Sequence, residues 1–600
     1  MDRERHPKGL YILFFTEMWE RFSFYLILGI LYQFLTDYQK GGMGMADGDA
    51  AVIVGSYQAL VYFTPFIGGL MADRLLGCRR MIVMGGLLMM CGHLALAWPE
   101  KMGLFLGLGL LCLGNGAFKP NISTLVGNLY EPNSPLRDAG YNIFYMGINI
   151  GAFICNFVAA LVRNYVDRNP VYLTSSWKVT GWHAAFGSAA IGMLLGVIIF
   201  ALNYRMFAKA DQDPAANEGS KESLTPLWLQ CLLPAAVLAV VGWLVASREP
   251  FQDWFQKNGM KPPTVAFLGA CLPVVLFYLT MWRNVPDQRA RGRVAALLVI
   301  FSVVIIFWAT FQLYTTALTA WARDVTDRVP NAFVRLFTER LPEDLEPTED
   351  APPSYYFNAS PETPRPPREA FEVASDILPL FHLQGLGAFQ LIVARIAHED
   401  MVKKIYQNSR DDTPTLPPGK PLKLVNTELF SSIEPGFLIL FTPLLVGFWH
   451  FLRARKIEPS TSAKIALGMV LTAAAAAIMY LATRSCNESQ EKSSAWWLFG
   501  TYAMFTIAEL CLSPMGLSLV NKMAPASKRA FMMGGWFLAT SVGLKISGVF
   551  GEVYANGTFF GIAIDHRNFW IVLIIANILG GCIIFALLHW LNRQMAGNEE

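Results

Sequence analysis

Apolar runs of about twenty residues recur along this chain, and a run that long is enough to cross a hydrocarbon core of about 30 Å as a helix. They fall at roughly 10–36, 50–72, 79–98, 102–126, 139–162 and 183–206, then 224–247 and 264–282. A second set lies at about 294–322, 429–452, 463–484, 495–519, 531–552 and 568–591. Fourteen spans result, grouped six, two and six. Backbone groups inside lipid must satisfy one another, and runs this long and unalternating favour helices over a barrel. Charged residues make up 16% of the chain, against about a quarter in soluble proteins. The expected class is therefore all-α and polytopic.

Lys and Arg in the short loops set the orientation. With Arg3, Arg5 and Lys8 inside, the cytoplasmic loops collect Arg74, Arg79 and Arg80, then Arg289, Arg291 and Arg293. They go on to collect Arg453, Arg455 and Lys456, then Lys522, Lys528 and Arg529. An even number of spans returns the C-terminus to the cytoplasm. The opening MDRERHPKG runs straight into a full-length apolar segment, which reads as a retained first span. A net charge of +3 gives no reason to invoke nucleic acid. The nine cysteines are scattered without a CxxC pair, so neither a disulfide framework nor a metal site is expected.

Four segments follow from this layout. Residues 1–209 form an N-terminal six-helix bundle, and 210–290 an accessory two-helix hairpin with its linkers. Residues 291–322 and 427–595 form a C-terminal six-helix bundle. Residues 323–426 form an extracytoplasmic insertion, rich in Pro and acid at its centre (LPEDLEPTEDAPPSYY). Its flanks, about 328–340 and 378–405, suit short amphipathic helices, and the whole suits an external cap or spacer.

Charges inside the spans carry the chemistry. Each costs roughly 2.5–3.5 kcal/mol at mid-bilayer, so Glu17, Glu20, Arg21, Lys119 and Glu509 facing lipid would cost on the order of 12–17 kcal/mol. They must pair or face a hydrated cavity. Glu17, Glu20 and Arg21 stand at i, i+3 and i+4, on one helical face. Carboxylates beside an Arg and screened from water can take and release a proton; the same knot, read statically, would only hold helices together. Lys119 lies in GNGAFKPNIS, where Gly114 and Gly116 permit close helix approach and Pro120 removes a ladder hydrogen bond. Glu509 is a lone charge in its span, with Pro514 after it. Lys119 and Glu509, opposite in sign and on different bundles, suit a gating salt bridge.

These residues carry a resemblance. The chain resembles the proton-dependent oligopeptide transporters (POT/PTR) of the major facilitator superfamily, in the bacterial type with two accessory helices. Glu17, Glu20 and Arg21 match that family's Glu-x-x-Glu-Arg motif, and GGLMADRLLG (68–77) looks like the superfamily's loop between spans two and three. GNGAFKPNIS (114–123), FYMGINIG (144–151), IFWATF (306–311), ELCLSPMGLSLVNKMAP (509–525) and MMGGWFL (532–538) look like its other signatures. The resemblance implies two bundles rocking about a central cavity, importing di- and tripeptides with protons by alternating access. It implies that Arg21 and Lys119 hold the peptide carboxylate and Glu509 the amine. It implies further that Tyr25, Tyr62 and Asn149 supply polar contacts, and that Trp308 and Trp536 line side-chain pockets, though aromatics at these positions also suit simple core packing. A bacterial inner-membrane location, a monomer and no cofactor complete the expectation.

The chain departs from the family pattern in three places. Gln312 stands where members carry a Glu, Glu434-Pro435 replaces an Asn-Pro, and GLKISG (543–548) places Lys545 in apolar surroundings. The carboxylate lost at Gln312 is expected to reappear at Glu434, with Lys545 as its partner, all three near the substrate. Glu434 also suits a plain helix start. The histidine that animal members carry in span two has no counterpart; the nearest position is Gly55. These changes keep open a same-fold transporter of nitrate or a modified dipeptide, and more remotely a peptide sensor. No HExxH motif and no nucleophile–base pair in the spans points to an enzyme.

Overall fold

The computed structural model describes residues 6–596 apart from 39, 73–75, 99, 132–133, 135, 175–176, 212–227, 258–259, 286, 329–336, 341–422, 487–491, 525–528 and 560–561. The first bundle is α1 (Lys8–Thr36), α2 (Asp47–Met71), α3 (Cys78–Leu96), α4 (Lys101–Asn128), α5 (Leu136–Arg168) and α6 (Gly181–Leu202). Next come α7 (Leu233–Ala246), the short α8 (Phe251–Lys257) and α9 (Pro262–Arg283), with α7 and α9 packed on each other. The second bundle is α10 (Gln288–Phe311) with the short α11 (Ala317–Asp324), then α12 (Ile433–Ala454), α13 (Thr461–Ser485), α14 (Trp496–Met523), α15 (Arg529–Asn556) and α16 (His566–Ala586). A last short helix, α17 (Leu588–Ala596), ends the description.

Fourteen long helices thus stand among the described residues, as the apolar runs predict. Eleven segments are apolar and long enough, by composition, to cross a membrane. The three helices outside that set are α1, α14 and α15, which carry Glu17, Glu20 and Arg21, then Glu509, then Lys545 and Glu552. Helix starts are chemically marked. Asp287 accepts from the N–H groups of Arg289 and Ala290 at 3.3 and 2.8 Å, and Ser460 from Ala463 at 3.3 Å. Each satisfies donors that a helix leaves open at its N-terminus.

Two features shape the cavity. Pro120 lacks an N–H, so the carbonyl of Gly116 has no helical donor. Gly68 of α2 sits against that carbonyl, so close that a Cβ would lie 1.9 Å from it. The expected span 294–322 does not run as one helix. It tightens into a 3₁₀ turn at Gln312–Thr315 before α11. Thr315 and Thr319 hydroxyls donate to the carbonyls of Gln312 and Tyr314 at 3.0 and 2.8 Å, a local competition with the helical ladder.

The insertion's near flank differs from expectation. Thr338–Arg340 (β1) is a strand, not helix, and pairs antiparallel with Lys423–Val425 (β2), Glu339 opposite Leu424. Two chain ends brought side by side can pair their backbones across the gap, which a helix ending there cannot do. The expected helix at 378–405 lies outside the described residues, as do Arg74 and Lys528. Hydrogen bonds and ion pairs joining the bundles cluster toward this insertion-bearing end. Gly55 of α2 meets Gly548 of α15 backbone to backbone, and Ser541 Oγ donates to the Ala59 carbonyl at 2.6 Å.

Candidate functional site

On the N-terminal side, α1 presents Glu17, Glu20 and Arg21 inward, all at most 1% exposed. The Arg21 guanidinium donates through Nε and Nη2 to the Glu20 carboxylate and lies 3.3 Å from a Glu17 oxygen. Nη2 also donates to Asn115 Oδ1 at 3.1 Å, and Asn115 Nδ2 donates to the Val61 carbonyl at 3.0 Å. One asparagine therefore ties the cluster on α1 to both α4 and α2. The second Glu17 oxygen, Oε2, is buried without a partner. Buried polar atoms are normally satisfied, so an open carboxylate oxygen beside an ion pair marks a place for a proton.

Lys119 stands within electrostatic reach of Arg21, Glu20 and Glu17. Its Nζ lies 4.6 Å from the centroid of the Tyr62 ring, a cation–π contact. Among the described residues it makes no ion pair within 4 Å. The Lys119–Glu509 gating bridge is thus not formed in this conformation.

On the C-terminal side, Glu434 occupies the first turn of α12, 4% exposed, where the helix dipole favours a carboxylate. Its carboxyl lies within electrostatic reach of that of Glu509 on α14, and among the described residues Glu509 Oε2 has no hydrogen-bond partner. Two carboxyl groups can hydrogen-bond to each other only when one of them carries a proton. The expected Glu434–Lys545 pairing is corrected here. Lys545 Nζ donates to Ser56 Oγ on α2 at 2.7 Å, and the charges that reach it are Glu552 and Lys261. The register of α15 on α2, set by the Gly55–Gly548 contact, points that lysine at the other bundle.

Tyrosines fill the space between the two clusters. The charge of Glu434 reaches Tyr25, Tyr62, Tyr145, Tyr314 and Tyr502. Asn149 Nδ2 donates to the Tyr145 carbonyl at 3.2 Å, and Gln312 lies beside Tyr314. The stretch therefore brings Tyr25, Tyr62, Asn149 and Gln312 to one site. Trp308 and Trp536 are 7% and 3% exposed and stack edge-on with Phe311 and Phe301. Trp536 lies over Gly516, where a Cβ would sit 1.8 Å from its ring. In this conformation both act as packed walls.

Sequence reasoning missed Asn115 and Tyr145, which the quoted motifs contained without singling out, and Tyr314, which follows IFWATF. It also missed a second polar cluster at the insertion-bearing end. There Arg163 of α5 donates through Nη1 to both oxygens of Glu428 at 2.9 Å and through Nη2 to Glu339 at 2.8 Å. Arg323 pairs with Asp47 at 2.9 Å, and Lys261 of the accessory hairpin with Asp49 and Glu552 at 2.6 and 2.8 Å. At span ends such residues look like ordinary boundary charges. No group of His, Cys, Asp and Glu suited to a metal occurs among the described residues.

The sequence pattern of the POT family (PTR2) matches residues 79–336 and 423–566. The chain belongs to the POT family. It is 28% identical to the uncharacterized transporter YclF of Bacillus subtilis (strain 168), over 99% of this chain and 96% of the relative. It is 29% identical to a di-/tripeptide transporter of Lactococcus lactis subsp. lactis (strain IL1403), over 93% and 92%. Among solved structures it is similar to a peptide transporter POT in complex with sulfate, with a TM-score of 0.69, 26% identity, and coverage of 98% and 96%. A mutant peptide transporter POT in complex with alafosfalin matches equally well, with a TM-score of 0.69 and 26% identity. This POT member is an integral membrane protein of the transporter class, with the major facilitator fold of two six-helix bundles plus two accessory helices.

Proposed function

We propose that this POT member is a proton-coupled symporter that imports di- and tripeptides by alternating access. The observation that carries the reading is the opposed charge of the two half-sites. With every group ionised, Glu17, Glu20, Arg21 and Lys119 sum to zero. A proton on the open Glu17 oxygen makes that side +1 and leaves Arg21 and Lys119 free to hold a carboxylate. Across the tyrosines, the Glu434–Glu509 pair with its shared proton carries −1 and suits an ammonium. A peptide zwitterion therefore matches the protonated cavity better than the deprotonated one, which is what co-transport requires. The names of the Lactococcus relative and of the solved structures agree with this substrate class.

Under this reading Glu17, Glu20, Arg21 and Glu434 handle the proton. Arg21, Lys119, Tyr25, Tyr62, Asn149, Gln312 and Glu509 contact peptide, and Trp308 and Trp536 wall its side chains. A Lys119–Glu509 bridge would form only in another state of the cycle. Lys545 leaves the substrate site and braces α2 against α15. The loop charges support cytoplasmic termini in a bacterial inner membrane.

The test is uptake of labelled dialanine into liposomes under an inward proton gradient, with Glu17→Gln alongside. Loss of gradient-driven uptake with exchange intact supports the reading. Wild-type liposomes that take up no dialanine would overturn it in favour of another solute.

A further inference from the structure

In the polar cluster at the insertion-bearing end, one carboxylate belongs to neither bundle. We propose that Glu339, at the root of the insertion, is a positioning residue of the transport cycle that latches this end of the cavity shut. The proposal goes beyond the peptide reading and does not depend on what is carried.

Glu339 is fixed from the backbone upward. The β1–β2 pair sets it opposite Leu424, and the Asn426 N–H donates to the Phe337 carbonyl at 3.1 Å. Arg328 braces the same root, donating through Nη1 to the Val425 carbonyl at 2.9 Å and to Thr427 Oγ1 at 3.0 Å. From this platform the Glu339 carboxylate collects three cations. Oε2 accepts from Lys40 Nζ at 2.7 Å and from Arg163 Nη2 at 2.8 Å, and Oε1 accepts from Arg328 Nη1 at 2.7 Å. Lys40 follows α1 and Arg163 belongs to α5, so both anchor points lie in the first bundle. Arg163 in turn grips Glu428, in the 3₁₀ turn leading into α12, and its guanidinium lies 3.8 Å from the Trp182 ring centroid. Asn164 and Asn426 exchange amide hydrogen bonds at 2.8 and 3.2 Å beside them.

Charge balance makes Glu339 the deciding member. The ion pairs of Lys40, Arg163 and Arg328 described above go to two carboxylates, Glu339 and Glu428, while Asp167 and Asp37 reach Arg163 over a longer range. Without Glu339, Arg163 would keep Glu428 while Lys40 and Arg328 would lose these ion pairs, with Arg163 only 2% exposed. A buried charge stripped of its partner strongly disfavours the state that buries it. Separation of the bundles at this end would return those cations to water. Glu428→Gln is milder, since Arg163 keeps Glu339. The family pattern covers Arg163 and Glu428 but has a gap from 337 to 422, which contains Glu339.

The test measures the distance between spin labels at Tyr172 and Ile562, in the exposed hairpins joining α5 to α6 and α15 to α16, with exposed Cys91 and Cys582 replaced by serine. In liposomes without substrate, Glu339→Gln is expected to raise the fraction of the long distance about tenfold or more. Glu428→Gln should raise it less. Adding Lys40→Met to Glu339→Gln removes one of the stranded cations and should recover part of the short distance, which a merely structural loss would not allow. Should Glu339→Gln fail to fold, Glu339→Asp, which keeps the charge, gives the same reading with a smaller shift. An unchanged distribution in Glu339→Gln, or in Glu339→Asp where that variant stands in, would overturn the proposal. So would a double variant more open than the single one.

Discussion

The two halves of the cavity solve the burial of charge differently. On α1 and α4, two carboxylates are matched by Arg21 and Lys119, and the guanidinium spans Glu17, Glu20 and Asn115. On α12 and α14, Glu434 and Glu509 lie within electrostatic reach of each other, and no ion pair to either is found among the described residues. Under the proposed reading the first half changes its net charge by binding one proton, and the second holds one between its carboxyl groups. A mixed cluster is therefore suited to coupling, and an acidic pair to holding an amine.

The sharpest break of that contrast is at Arg21. Arg21→Lys keeps the charge but loses the fork that holds Glu20 on two atoms and Asn115 on a third. Dialanine uptake under a proton gradient should fall about 100-fold, a loss of about 2.7 kcal/mol in driving interactions. Retention of uptake would mean that charge alone, without geometry, runs the first half.

The acidic half divides next. Glu509→Gln should weaken peptide binding about 30-fold or more, because it removes the ammonium's charge partner. Glu434→Gln mimics a permanently protonated carboxyl, so binding should stay within about threefold while gradient-driven accumulation drops about tenfold. Binding by calorimetry and accumulation in liposomes separate the two. Equal losses in both variants would show that the pair acts as one site. Lys119→Met should cost dialanine about tenfold in affinity and leave dialanine amide nearly untouched; equal losses for both ligands would move the carboxylate elsewhere.

Smaller effects bear on the corrected pairing and on the latch. Lys545→Met keeps the volume and loses the bond to Ser56 together with a charge that attracts Glu552 and repels Lys261, so thermal stability should change by about 1 kcal/mol or less. Its effect should add to that of Glu434→Gln; strong non-additivity would restore the Glu434–Lys545 partnership. Burial pushes the Glu339 carboxyl up, but Lys40, Arg163 and Arg328 outweigh it and hold it well below the ordinary value. A depressed carboxylate contributes fully above its ordinary range and is lost only as pH falls through the depressed one. The contribution of Glu339 to the Tyr172–Ile562 distance should therefore be constant between about pH 5 and 8.

How much was legible varies with the distance over which residues cooperate. The fourteen helices follow from runs of about twenty apolar residues, and the Glu17–Glu20–Arg21 face from spacings of three and four. The likeness of GNGAFKPNIS, FYMGINIG and MMGGWFL to family signatures carried most of the candidate site, and Lys119, Asn149 and Gln312 do converge. The partner of Glu434 was misread, because nothing near it in sequence says which of two distant helices faces it.

The sequence by itself determined that this chain spans a membrane as helices, because apolar length and backbone satisfaction are local properties of each run. It determined too that charged residues inside those runs must turn inward, since lipid offers them no partner. Only the tertiary structure decided which of them meet. Glu434 finds Glu509, Lys545 finds Ser56, and Glu339 collects Lys40, Arg163 and Arg328, across separations that helix register and bundle packing set. Those pairings depend on angstrom-scale alignment of elements far apart in the chain, and a charge at a span end carries no local mark of the partner it will find.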